Sequence, residues 1–62
     1  MNYNLRNAIL ENGLTQRALS DRSNVPEGYI SEVIHGKRIL SEQHQLAIAA
    51  ALGKKREEIF GV

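Results

Sequence analysis

The punctuation of this chain limits its fold more than any other feature. Asn12-Gly13, Asn24-Val25-Pro26, Gly36 and Gly53 cut the 62 residues into short segments, and the segments carry apolar residues at helical spacing. Leu5, Ala8 and Ile9, with Leu10 on the flank, predict a first helix over about 3–12 that ends on Asn12-Gly13, residues tolerant of left-handed backbone. Thr15 stands as an N-cap, its hydroxyl able to accept a backbone N–H of the next turn, and Ala18, Leu19 and Arg22 carry a second helix to about Ser23. Asn24 can close that helix in the left-handed region without a glycine. Val25 precedes a proline and is biased toward extended geometry, which stops any continuation. Pro26, lacking an N–H, suits the first turn of a third helix whose apolar side is Tyr29, Ile30, Val33 and Ile34 and which Gly36 stops. After the basic connection GKRIL, Ser41 caps a fourth helix with Leu46, Ile48, Ala49 and Leu52 facing inward, and Gly53 ends it. A last short helix covers about 55–60. Period-two patterns and hairpin turn signals are missing. The expected fold is all-α, a compact five-helix bundle forming one domain over residues 1–62.

Helices this short depend on one another for stability. A chain of 62 residues lies near the lower end of what folds unaided, and without cysteine it has neither disulfides nor a cysteine-based zinc site. Helix packing must supply the core, and association between chains would share the burial. No apolar run approaches the ~18 residues of a membrane span, and MNYNLRN lacks the apolar stretch of a signal peptide, so a cytoplasmic location is expected. His35 and His44 are not spaced i, i+4, so no metal site is expected. The serines belong to no discernible His–carboxylate set, a glycine-rich phosphate loop is missing, and a bundle of this size has little room for an enclosed pocket. Neither catalytic residues nor a cofactor are therefore expected. Net charge is +1, so its distribution is more informative than its sum.

The second and third helices, joined by a tight turn, form a helix-turn-helix pattern. Leu19, Val25, Ile30 and Val33 supply its inner contacts, Ser20 is small enough for a close crossing, and Asn24 takes the turn. LTQRALSDRSNVPEGYISEVIHGKR, followed by LAIAAALGKKREEIF, resembles the Cro/cI-type (phage repressor-like, XRE) helix-turn-helix family from about Leu5 to Phe60. The most specific pieces are LTQ at 14–16, the spacing of Leu19, Val25 and Ile30, GKR at 36–38, and ALG at 51–53 followed by EEIF. The resemblance implies a five-helix domain of the lambda-repressor-like type, with its helix-turn-helix at about 15–35. It implies a nucleoid-associated transcriptional regulator of double-stranded DNA, usually a homodimer on a palindromic operator. The size suits a small Cro-like repressor of a phage or prophage.

In such a domain the second helix of the motif enters the major groove, and its N-terminal residues meet base edges. The positions so implied are Glu27, Gly28, Tyr29, Ser31 and Glu32. Thr15, Gln16 and Arg17 would contact phosphates from the N-terminus of the second helix, and Lys37 and Arg38 from the connection after the third. Each phosphate contact would add roughly 0.9 to the slope of log affinity against log salt. The family usually has Ser or Thr where Pro26 stands, and Arg, Gln, Ser or Thr at 27, 28 and 32. Here the third helix has two acids and no Lys or Arg, so attraction to phosphate must come from outside it, from Arg17, Lys37, Arg38 and Arg6. A carboxylate can accept from the cytosine N4 amino group, which would make the acids specificity devices. Glu32 can equally pair with Arg38. Gly28 either permits close backbone approach to the groove or is tolerated because few intrahelical bonds depend on a first turn.

The acids also favour a rival from another class, a protein-interaction module on the same scaffold, antitoxin-like or anti-repressor, whose third helix meets a basic protein surface. A dimer surface is expected in the C-terminal part, with Leu52, Phe60 and Val62 as apolar contacts. Lys54 and Lys55 begin a solvated helix, from which they can also approach flanking DNA. Where the family often pairs an Arg on its first helix with a Glu late in its third, this chain has Ile9 and Ile34, which are expected to touch.

Overall fold

Each helix begins or ends where a side chain or a left-handed residue supplies the backbone partner that the helix itself cannot. The computed structural model describes residues 1–61, and among them are five α-helices: α1 Tyr3–Glu11, α2 Gln16–Ser23, α3 Glu27–Ile34, α4 Glu42–Leu52 and α5 Arg56–Phe60. Asn2 caps α1, its Oδ1 accepting from the Leu5 N–H at 2.9 Å. Thr15 Oγ1 accepts from Ala18 at 3.0 Å to open α2, and Ser41 Oγ accepts from His44 at 3.3 Å to open α4. Asn24 closes α2 at φ 59°. At α5 the Glu58 carboxylate reaches back to the Lys55 N–H at 2.8 Å.

All five helices contribute to one core. Leu5, Leu19, Ile30 and Ile48 are fully enclosed, with Val25, Ile59 and Leu52 almost so. Every buried side-chain nitrogen or oxygen among the described residues has a hydrogen-bond partner. Asn2 does more than cap: its N–H donates to the Ile34 carbonyl at 2.9 Å and its Nδ2 to the Ile59 carbonyl at 3.1 Å. One N-terminal residue thus ties the start of α1 to the end of α3 and to α5. Asn12 works similarly, donating from Nδ2 to Ala8 at 2.8 Å and to Leu52 at 3.4 Å.

The bundle departs from the expected details in several places. Leu46 does not face inward: it is 52% exposed on α4. Leu52, expected both to face inward and to serve a partner surface, is 4% exposed and packs in the core, so its side chain is not available to a second chain. Pro26 sits at the N-cap rather than in the first turn, with its carbonyl accepting from Tyr29 and Ile30 at 3.0 and 3.2 Å. The first helix stops at Glu11, and the last begins at Arg56, each one residue short of expectation. Ile9 and Ile34 are both buried and line the same depression beside the N-terminus of α2. Among the described residues no helix is long and apolar enough to cross a membrane.

Candidate nucleic-acid interface

The turn between α2 and α3 is built from serines as much as from apolar groups. Ser20 Oγ donates to the Val25 carbonyl at 2.6 Å, across the turn. Ser23, itself buried, donates from Oγ to the Leu19 carbonyl at 2.7 Å and accepts from the Val25 N–H at 3.4 Å. Val25, ahead of Pro26, therefore has both backbone groups paired with side chains of α2. Leu19, Val25, Ile30 and Val33 are all buried around it, in the positions the motif requires. Ser20 was expected only to be small; its hydroxyl also locks the angle at which α3 leaves the turn.

At the N-terminus of α2, Thr15 and Arg17 are exposed and Gln16 is half-buried. Arg6, Thr15 and Gln16 line one shallow depression with Ile9 and Ile34 beneath them. A helix N-terminus carries unpaired N–H groups and partial positive charge, so polar and basic side chains there can meet a phosphate together.

On α3 the exposed first turn holds Glu27 and Gly28, while Tyr29, Ser31 and Glu32 are partly covered. Pro26 offers α3 no side-chain cap. Glu27, the acid of the first turn, supplies the negative charge that a helix N-terminus favours, which gives this acid a structural reason independent of any ligand. No Cβ at position 28 would meet anything within 4 Å, so glycine there answers no packing constraint in the isolated chain.

The C-terminus of α3 is a left-handed turn. Gly36 at φ 75° lets its own N–H reach the Val33 carbonyl at 3.0 Å and the Lys37 N–H reach that of Glu32 at 2.7 Å. The turn sends Lys37 into solvent and folds Arg38 back onto α3. Arg38 Nε donates to Glu32 Oε1 at 2.8 Å, and its guanidinium carbon lies 3.7 Å from the centroid of the Tyr29 ring. His44 of α4 packs against the same tyrosine, ring centroids 6.1 Å apart. The third helix has no base of its own in sequence, but the fold places one over it.

A sequence profile of the Cro/cI-type (XRE) helix-turn-helix family matches residues 5–59. The chain belongs to that helix-turn-helix family. The family is one of DNA-binding transcription regulators and generally not of enzymes, and DNA binding is the function that membership carries to this chain. No curated protein and no solved structure matches the chain at a significant level. Within this helix-turn-helix protein the structure joins Tyr29, Glu32 and Arg38 into one cluster and groups Thr15 and Gln16 with Arg6. Lys54 lies 3.8 Å from Glu11. Phe60 is partly buried against the core, and Val62 lies outside the described residues. Two residues that sequence reasoning did not single out, Asn2 and Leu40, hold the ends of α3 and α4: Leu40 is buried and its carbonyl accepts from Gln45 Nε2 at 3.2 Å. Asn2 had a local signal, a capping residue just before a helix; Leu40 had none.

Proposed function

We propose that the protein is a sequence-specific binder of double-stranded DNA that acts as a small Cro-like repressor, as a homodimer on a palindromic operator. The whole chain serves as one DNA-binding unit. In this reading α3 lies in the major groove with Glu27, Gly28, Tyr29, Ser31 and Glu32 on its groove-facing side. Thr15, Gln16, Arg17 and Lys37 engage the backbone on either side. The observation that carries the reading is the combination of family membership with an α3 whose outer face ends in a basic, glycine-directed turn. Two-fold symmetry would set half-sites roughly 34 Å apart on one face of the duplex. With Leu52 enclosed, the dimer contact falls to the surface around Phe60, where Met1 and Tyr3 are each 60% exposed and line a shared open depression with it.

The acids of α3 support one rival, a protein partner with a basic surface. Glu27 is exposed and has no ion-pair partner among the described residues. Selection from randomised duplexes at two salt concentrations separates the readings. Enrichment of a palindrome, with affinity falling steeply in salt, supports the dimeric operator binder. Weak retention without enrichment sinks it in favour of the protein partner. Sedimentation on the selected duplex then reports one chain or two, and one chain at saturation contradicts the dimer.

A further inference from the structure

We infer that Arg38 is the guanine-reading side chain of this protein and that Glu32 is its positioning residue, a refinement that rests on the DNA-binding reading above. The argument begins with which nitrogen Glu32 uses. The carboxylate takes the Nε–H at 2.8 Å, and among the described residues no hydrogen bond engages either terminal Nη group. A guanidinium held this way presents two parallel N–H donors directed away from the pair. That fork matches O6 and N7 of guanine in the major groove, the commonest specific protein contact to a base.

Tyr29 supplies the second restraint. With its guanidinium carbon 3.7 Å from the ring centroid, Arg38 is restrained over the tyrosine ring as well as by the carboxylate. Tyr29 is held in turn by the core on one side and by His44 on the other. Gly36 aims the chain so that Arg38, six residues beyond Glu32, returns to the exposed side of α3 where Tyr29 and Glu32 lie one turn apart. An arginine side chain loses much rotamer freedom on binding. One ordered in advance by a carboxylate and a ring loses less at the moment of contact.

The arrangement also explains why an acid is tolerated in the groove. Glu32 offsets the charge of Arg38, which lessens its attraction to phosphates at arbitrary sequence, while the directed donors remain for a base. Binding to random DNA weakens, and discrimination does not.

The test is selection of binding sites from a randomised duplex library by the full chain and by E32Q, R38K and R38A, with circular dichroism confirming that each is folded. For the wild type the expected outcome is a motif containing a strongly preferred G·C pair in each half-site. R38A loses the preference at that pair by about 5- to 150-fold, and R38K, whose ammonium lacks the planar fork, loses part of it, while the remaining positions persist. E32Q weakens the preference at the same pair and binds unrelated duplexes more tightly. Three results overturn the inference. If R38A weakens all duplexes equally and lowers the salt slope by about 0.9, Arg38 is only a phosphate contact. If E32Q alters a different base pair from R38K, Glu32 reads a base directly. If the wild type enriches no motif, the DNA-binding reading fails together with this one, an outcome distinct from the other two.

Discussion

The inner and outer sides of α3 are held by different physics. On the inner side, Ile30 and Val33 are enclosed with Leu19 and Val25, and the serines of α2 satisfy the backbone of the turn. On the outer side, the Arg38–Glu32 pair has side chains 36% and 45% exposed, and Tyr29 is only partly covered. Burial of the first kind accounts for most of a small domain's stability, whereas an exposed ion pair contributes between nothing and about 1 kcal/mol. The Tyr29–Glu32–Arg38 cluster is therefore not needed for folding, and its residues can be exchanged while the scaffold stays intact.

Substitutions that break this contrast should rank by side. Ile30→Ala, at a fully enclosed position, should lower unfolding free energy by about 2–5 kcal/mol in urea titration, enough to unfold much of a chain this small. A loss under 1 kcal/mol would mean that the inner side is not the stable one. Asn2→Ala removes a cap and a long-range bond to Ile59 together, and about 1–2 kcal/mol should be lost; hydrogen exchange should then show α1 and α5 opening more often.

Gly36→Ala sharpens the comparison, because it sits where the two sides join. A left-handed φ of 75° strains any residue with a Cβ, so roughly 1 kcal/mol of stability should disappear. DNA affinity should fall by more than that strain accounts for, since the path of Lys37 and Arg38 shifts with it; equal losses in both measurements would separate the turn from binding. The smallest effect belongs to the outer side. Arg38→Ala should change the unfolding free energy in urea titration by no more than about 0.5 kcal/mol, and a larger change would show that the cluster stabilises the fold.

Much of the fold was legible because its signals are local. Thr15, Asn24, Ser41 and Gly53 each act on the backbone within a few residues of themselves, and the helix boundaries follow them to within a residue. The inner contacts of the motif were legible too, since Leu19, Val25, Ile30 and Val33 are apolar at fixed intervals. Leu46 departs from the periodic pattern because α4 is rich in alanine and leucine nearly all round, so periodicity does not choose its buried face. Leu52, apolar and near the C-terminus, suits both the core and a partner surface by sequence, and the bundle encloses it. The candidate interface divided in the same manner. Gln16, Arg17, Lys37 and Arg38 could be named from their places beside the motif, and a Glu32–Arg38 pairing could be entertained. The direction in which Arg38 folds, and the ring it lies over, could not be read from spacing.

Capping, chain breaks and periodicity are short-range properties of the chain, so the five helices, their order and the helix-turn-helix follow from local sequence. Which of two like neighbours is buried depends instead on contacts between distant segments. Ile39 is 93% exposed and Leu40 6% exposed, although they are adjacent, apolar and outside any helix. No local rule separates them, since burial there depends on which surface the rest of the bundle presents to the loop. The same holds for Arg38, whose position depends on a glycine turn, a carboxylate and a tyrosine that meet only once α3 is in place.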